Sequence, residues 1–234
     1  RLSIISFWVS LLIIDLNLYH KKAVIVGGGI EGGRRVRGLL GQNCYITVIS
    51  DHFDPYLSDL ANKGQIQIIK SKVDDSTILD DYNGSLFLLL ACTDDRSLNR
   101  TLVEKGRSMG AFVYSVDDPS HSDFSYASII NIEGVMQVAI STSGKSPIMA
   151  RQVRIKAERV LKRVIKKTDI ENTRLQEFAR NAARTKIHSV EDRKKFLYSL
   201  INDKYIQNLI RENRIEDAKS STIELLQKWG EQAA

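Results

Sequence analysis

A short apolar run, Ala23–Val26, leads directly into the glycine-rich segment Gly27–Gly32, which reads GGGIEG. Four apolar residues of this kind predict a strand buried on both faces, and a helical pattern follows them. A G-x-G-x-x-G spacing between a strand and a helix is typical of a turn that binds a dinucleotide, with the pyrophosphate at the helix N-terminus. The alternative is a glycine-rich turn that binds no ligand. We predict that the cofactor-binding residues of this turn are Gly27, Gly29, Ile30, Glu31 and Gly32.

Strand-like runs alternate with helical segments over the first half of the chain. Tyr45–Ser50 completes a β-α-β unit with the first strand. Three further strands and four helices are predicted: strands Gln65–Ile69, Leu86–Ala91 and Phe112–Val116, and helices Ile30–Leu40, Leu57–Ala61, Ser76–Leu79 and Asn99–Met109. This alternation predicts an α/β fold with a Rossmann-like, doubly wound parallel sheet.

The pattern changes after this sheet. Ser128–Glu133 and Met136–Thr142, joined at Gly134, predict an antiparallel hairpin, and the rest of the chain is rich in helix-forming residues. The predicted C-terminal helices are Arg151–Lys167, Glu171–Lys186, Val190–Asn202, Lys204–Asn213 and Arg214–Gly230. We therefore predict a nucleotide-binding domain over residues 1–117, a small β element over 118–157 and a helical domain over 158–234.

The N-terminal segment is apolar but short. Ile4–Leu18 falls below the ~20 residues that a membrane-spanning helix needs, and Asp15 interrupts it. We expect no membrane span, interpret Leu11–Leu16 as the lead-in to the first strand, and assign no role to Arg1–Ser10.

The chain has two cysteines, Cys44 and Cys92, and neither belongs to a CxxC motif or has a histidine at ligand spacing. Both lie in apolar, strand-like stretches. This predicts buried thiols in a cytoplasmic protein, rather than a disulfide or a protein-held metal.

Polar residues follow two of the predicted strands, where ligands bind in this fold class. Asp51 follows the second strand about twenty residues beyond the glycine turn, and a carboxylate there accepts hydrogen bonds from the ribose and repels a 2′-phosphate. We therefore predict NAD as the cofactor, bound also by the following residues: Ser50, Asp51, Thr93 and Asp94. Alternatives remain open: Ser50 takes the place of Asp51, Thr93 or Asp94 only caps the next helix, or a basic side chain of the first helix reaches a phosphate (Arg34, Arg35 or Arg37).

Four segments, in this order, resemble a known family: Leu11–Leu16 before the glycine turn, Ala91–Asp95 with Asn99, Val116–Pro119, and Ala139–Pro147 with Ala150 and Arg151. Together they are similar to the precorrin-2 dehydrogenase / sirohydrochlorin ferrochelatase family, the N-terminal part of siroheme synthase, over residues 11 to 225. The resemblance implies a Rossmann domain, a small dimerisation element and a helical domain, assembled as a homodimer. It implies NAD-dependent oxidation of precorrin-2 to sirohydrochlorin and, in some members, insertion of ferrous iron.

The resemblance also implies site residues. Asp117 matches the family's catalytic aspartate, which would act as a base, although Asp-Asp-Pro is also strong turn chemistry. The loop after the hairpin is rich in hydrogen-bond donors that would bind the substrate's carboxylates: Ser141, Thr142, Ser143, Lys145 and Ser146. The alternative for this loop is a helix start, with Ser146 as the cap and Pro147 in the first position.

The net charge is +6, and nine basic residues against Glu158 lie between Lys145 and Lys167. Such a segment suits a polycarboxylate tetrapyrrole, and a solvated helix face is the alternative. None of the four histidines forms a paired ligand motif, and only His121 lies near Asp117. We expect a tetrapyrrole partner, with ferrous iron only as a substrate, and no nucleic acid.

Two other classes of function compete with the dehydrogenase. An NAD-sensing regulatory module would share the glycine turn and Asp51, but would not need Asp117 or the serine-rich loop. A nucleic-acid-binding protein would use the basic segment, with steep salt dependence and no need for NAD.

Overall fold

The computed structural model describes residues 12–232. Arg1–Ser10, to which no role was assigned, and Leu11 lie outside the described residues. The apolar segment from Leu12 does not run into the first strand without a break, because a turn at Tyr19 and His20 separates the two. Among the described residues, no helix is long and apolar enough to cross a membrane.

The chain divides by its internal contacts into two compact units, Arg1–Tyr126 and Ala127–Ala234. The finer division into three parts, with limits after residues 117 and 157, stays a prediction.

The first unit is a five-stranded parallel sheet with the strand order β3-β2-β1-β4-β5. Its elements are β1 Lys22–Val26, α1 Ile30–Leu39, β2 Tyr45–Ser50, α2 Pro55–Asn62, β3 Gln67–Lys70, a 3₁₀ helix Thr77–Tyr82, β4 Leu86–Ala91, α3 Arg96–Ser108, β5 Phe112–Ser115 and a 3₁₀ turn Pro119–His121. This order, with the reversal between β1 and β4, is that of a Rossmann-like fold, so the predicted fold class is confirmed.

The sheet is buried on both faces because successive side chains of a strand point in opposite directions. In β1, Ala23 and Ile25 pack into one core with α1 and α2, whereas Val24 and Val26 pack into another with α3. Burial of a large aliphatic side chain contributes roughly 1.5–3 kcal/mol, so the apolar run specifies a central strand. The carboxyl ends of β1, β2 and β4 consequently meet at one edge of the sheet.

The second unit contains a two-stranded antiparallel sheet and five helices. Its elements are β6 Ser128–Ile132, β7 Met136–Ile140, α4 Pro147–Val164, α5 Lys167–Arg184, α6 Val190–Asn202, α7 Lys204–Arg211 and α8 Ile215–Gln232. Glu133 and Gly134 both have positive φ between the two strands, which confirms the predicted hairpin. The larger core of this unit lies among α5 to α8 around Phe196.

Three predicted helix starts were several residues late, among them that of α5, which begins at Lys167 rather than Glu171. Helix α3 begins at Arg96 rather than Asn99, because the Asp95 carboxylate accepts hydrogen bonds from the backbone N–H groups of Ser97 and Leu98. Helix α4 begins at Pro147 rather than Arg151, with Ser146 as its N-cap.

Candidate functional site

The glycine turn after β1 is held by close backbone contacts. A Cβ on Gly27 would lie 2.3 Å from the Cys92 carbonyl oxygen, and the φ of Gly27 is +114°. A Cβ on Gly32 would lie 2.0 Å from the Gly27 carbonyl oxygen, so only glycine lets the helix approach the strand. A Cβ on Gly29, by contrast, would meet nothing within 4 Å. The turn is therefore tightly packed at Gly27 and Gly32 and open at Gly29.

The N-terminus of α1 can receive an anion. Gly29 is its N-cap and supplies no side-chain hydrogen bond, so the first N–H groups of the helix have no capping side chain. Such groups, with the helix dipole, favour a phosphate. The open backbone at Gly29 and these N–H groups fit a dinucleotide pyrophosphate.

The arginines of α1 are engaged elsewhere. The Arg35 guanidinium lies over the rings of Tyr114 and Tyr126, and Arg37 lies over Tyr56. Arg34 is paired with Glu31. These contacts argue against the alternative in which an arginine of α1 holds a 2′-phosphate.

A cleft of about 750 Å³ opens at the carboxyl ends of the strands, and we call it the strand-end cleft. All but one of the predicted cofactor-binding residues line it: Gly27, Gly29, Ile30, Glu31, Ser50, Asp51, Thr93 and Asp94. The exception is Gly32, which lies behind the turn. The structure adds lining residues that sequence reasoning missed, among them Gly28, His52, Lys72, Val73, Asp74 and Leu98. Lys72–Asp74 follow β3, so the rule that ligands bind beyond strand ends was the available signal.

Asp51, rather than Ser50, presents its side chain at the rim of this cleft. Ser50 is buried, whereas the Asp51 side chain is more than half exposed. The His52 ring nitrogen Nδ1 lies 2.7 Å from the Asp51 carboxylate, and this hydrogen bond lowers the pKa of Asp51. Asp51 is therefore an anion at neutral pH, at the position where it would meet a ribose.

The segment after β4 both caps α3 and lines the strand-end cleft. Asp95 caps α3. The alternative in which Thr93 or Asp94 caps this helix was therefore wrong. The Thr93 hydroxyl and backbone N–H both donate to Asn99 Oδ1, at 2.7 and 3.1 Å. Asp94 is exposed at the cleft.

Asp117 follows β5 and is held as an anion. Ser115 Oγ and Asn99 Nδ2 both donate to its Oδ1, at 2.7 and 2.9 Å, and Arg96 Nε lies 3.3 Å from its Oδ2. Partial burial alone would raise the pKa of Asp117, but the hydrogen bonds from Ser115 and Asn99, with the charge of Arg96, hold it below its usual value. The side chain remains about one fifth exposed.

The turn chemistry of Asp-Asp-Pro belongs to Asp118. Its carboxylate accepts from Ser120 N and pairs with His121 at 2.8 Å, which leaves Asp117 out of the turn. Asp117 and Asp118 line a second cleft of about 530 Å³, the Asp117 cleft. The remaining lining residues are Arg96, Ser97, Arg100, Ser115 and His121.

The predicted substrate-binding loop belongs to the second unit, and several of its residues form hydrogen bonds with one another. Ser146 caps α4 by accepting from Met149 N, and the Thr142 hydroxyl accepts from Ser146 N and donates to Ser146 O. Ser141 Oγ accepts from Ser143 N. The loop thus forms the helix start that was the alternative interpretation, and the substrate-binding role of Ser141, Thr142, Ser143, Lys145 and Ser146 stays a prediction.

The one acid of the basic segment neutralises part of it. Glu158 pairs with Arg154 at 2.8 Å and with Lys162 at 2.9 Å.

Across residues 12–232, no group of three or more His, Cys, Asp or Glu side chains is placed to hold a metal ion. Cys92 is buried, which raises the pKa of its thiol to about 12, but Cys44 is only partly buried, so the prediction of two buried thiols was half right.

Comparison with known proteins bears on the whole of this arrangement. A family model described as "NAD(P)-binding" matches residues 14–128, and one described as "Sirohaem biosynthesis protein central" matches residues 133–156. Siroheme synthase of Actinobacillus succinogenes is 31% identical over 212 residues, which are 90% of this chain and 41% of that protein. The chain is a homologue of part of the siroheme synthases. The predicted resemblance is confirmed, and the first unit corresponds to an NAD(P)-binding domain.

Two further comparisons set the extent of the likeness. Siroheme synthase 1 of Aeromonas salmonicida is 35% identical over 144 residues, 62% of this chain and 30% of that protein. The structure of SirC, a precorrin-2 dehydrogenase, matches with a TM-score of 0.64 at 20% identity, over 93% of this chain and 100% of that one. The latter shows a shared fold. The chain spans well under half the length of the curated relatives it matches.

Proposed function

We propose that this chain oxidises precorrin-2 to sirohydrochlorin with NAD as the hydride acceptor. The observation that carries the proposal is the position of Asp117. Its carboxylate is ionised and is not used by the adjacent turn. Asn99 links it by hydrogen bonds to Thr93, which lines the strand-end cleft. An anionic proton acceptor connected to such a cleft suits a dehydrogenation, which removes a hydride and a proton.

The oxidation removes a hydride and a proton from the substrate. Bound NAD would supply the hydride acceptor through its nicotinamide ring. Asp117 would take the proton at Oδ2, which pairs with the mostly exposed Arg96, because Oδ1 already accepts two internal hydrogen bonds. A carboxylate of lowered pKa is a weak base, so its main contribution is to stabilise the positive charge that hydride loss develops on the macrocycle. That positive charge makes the departing proton acidic enough for such a base to accept it.

NAD rather than NADP is proposed from Asp51. A second negative charge on the ribose 2′-position would face an exposed carboxylate of lowered pKa. The ribose hydroxyls of NAD would instead donate hydrogen bonds to it.

The remaining features of the proposal rest on homology to the siroheme synthases. The substrate's carboxylates would be bound by the loop Ser141–Ser146 and by basic residues of α4, and the enzyme would act as a homodimer in the cytoplasm. Insertion of ferrous iron into sirohydrochlorin is a second candidate activity, since the macrocycle supplies the nitrogen ligands and Asp117 can accept the pyrrole protons.

The test is an anaerobic assay of the purified chain with precorrin-2 and NAD, followed through NADH and the sirohydrochlorin absorbance. The Asp117→Asn variant, which keeps the shape but not the charge, should lose activity by about 10²-fold or more and still bind NAD. Retained oxidation in the variant would remove Asp117 from the mechanism. Absence of oxidation by the wild type, with NAD still bound, would favour the regulatory module. Ferrous iron added to preformed sirohydrochlorin tests the second activity.

A further inference from the structure

Asn99 is a fully buried polar residue in the first turn of α3. A buried amide is costly unless its hydrogen-bonding groups are satisfied, and an amide side chain has two N–H donors and an oxygen with two lone pairs. Oδ1 accepts from Thr93 N and Thr93 Oγ1, and Nδ2 donates to Thr93 O and Asp117 Oδ1. All four capacities are used, and every partner belongs to Thr93 or Asp117.

The orientation of this amide is determined by its partners. Thr93 N is a donor, so it requires the amide oxygen, and Asp117 Oδ1 is an acceptor, so it requires the amide nitrogen. A reversed amide would place two donors together and two acceptors together. Asn99 therefore acts as a fixed brace between the end of β4 and the end of β5.

The two partners of Asn99 lie at different clefts. Thr93 lines the strand-end cleft, and Asp117 lines the Asp117 cleft. We propose that Asn99 is a positioning residue, whose amide fixes the Asp117 carboxylate relative to Thr93 in the strand-end cleft. This inference rests on the proposed function, in which the cofactor and Asp117 act on the same substrate.

The brace has a consequence for Asp117. Asn99 and Ser115 together occupy Oδ1, which leaves Oδ2 to pair with Arg96, a residue that lines the Asp117 cleft. The other charged or titratable groups of that cleft are Arg96 and Arg100 on α3, and Asp118 and His121 after β5. Of these, Arg96 alone is within ion-pair distance of Asp117 among the described residues, and it is mostly exposed.

The inference is tested with Asn99→Asp, which keeps the size of the side chain and one oxygen for Thr93. It replaces the donor to Asp117 with a second carboxylate. The pKa of Asp117, measured by ¹³C carboxyl NMR titration, should rise by about one unit or more. The midpoint pH of the acid limb in the pH profile of kcat should rise by the same amount. The NAD dissociation constant should rise severalfold.

Two controls separate positioning from stability. Ser115→Ala removes the other donor to Oδ1, so it should raise the Asp117 pKa and leave NAD affinity unchanged, because Ser115 is not among the residues that line the strand-end cleft. Leu102→Ala, a buried apolar change on the same helix, should lower the melting temperature without moving that pKa. A folded Asn99→Asp variant with wild-type Asp117 pKa and wild-type NAD affinity would overturn the inference. The NMR titration and NAD binding need no turnover, so a wild type that fails to oxidise precorrin-2 would refute the proposed function alone.

Discussion

Substitution of Gly29 by alanine should separate cofactor binding from folding. The backbone at Gly29 has φ −79° and ψ −165°, which any residue adopts, and its Cβ would meet no atom within 4 Å. Alanine is a poorer N-cap than glycine by up to ~1 kcal/mol. It recovers about 0.4–1 kcal/mol by restricting the unfolded chain. The free energy of unfolding should therefore change by less than about 1 kcal/mol, which is a shift of at most ~4 °C in Tm.

If the proposed cofactor site is right, the same methyl group would occupy the space that the pyrophosphate of NAD needs to approach the backbone. NAD affinity, measured by isothermal titration calorimetry, should fall at least tenfold, or about 1.4 kcal/mol. Gly32→Ala, by contrast, should act mainly by lowering the stability of the fold. Its Cβ would lie 2.0 Å from the Gly27 carbonyl oxygen, and such overpacking costs about 1–3 kcal/mol of stability.

The matched control is Gly38→Ala, on the exposed side of α1 and with no atom within 4 Å of its Cβ. It should raise stability by up to ~1 kcal/mol through helix propensity and leave NAD affinity unchanged. If Gly29→Ala binds NAD as tightly as wild type, the pyrophosphate does not lie against this turn and the reasoning is refuted.

Three further changes have defined outcomes. Asp95→Ala removes the cap of α3 and should cost about 1 kcal/mol in urea unfolding, whereas Asp94→Ala beside it should not; equal losses would contradict the cap assignment. Asp51→Asn should narrow the preference for NAD over NADP in binding assays, and an unchanged ratio would remove Asp51 from cofactor selection. Hydrogen bonds from Ser120 lower the pKa of Asp118 from 3.8 to about 2. The stabilisation from Asp118 is therefore complete above about pH 4 and is lost as the pH falls through about 2, so Asp118→Asn should flatten stability over that window, and an unaltered curve would contradict the assignment.

The parallel sheet was predictable because its signals are local. Ala23–Val26 and Leu86–Ala91 are continuous apolar runs, and short runs of this kind next to turn residues are typical of a strand covered on both faces. The positions of the glycine turn and of Asp51 at the cleft followed from the same rule, since ligands bind beyond strand ends.

The less predictable features depend on contacts between distant segments. Asn99 reads as an ordinary helical residue, and its brace to Asp117 exists only because β4 and β5 are neighbours. The start of α4 was misplaced although Ser146 and Pro147 carry a capping signal, because the capping and ligand-binding interpretations of that loop competed. Asp118, not Asp117, makes the turn, a choice between adjacent identical residues that only hydrogen-bond geometry resolves.

The measurement that tests the central claim most directly is the stoichiometry of a single turnover. Limiting precorrin-2 is mixed anaerobically with excess protein and NAD, and NADH and sirohydrochlorin are quantified in the same sample. We expect one NADH per sirohydrochlorin, with neither formed when NAD is omitted. Sirohydrochlorin formed at the same rate without NAD, or NAD bound with no NADH produced, would contradict it.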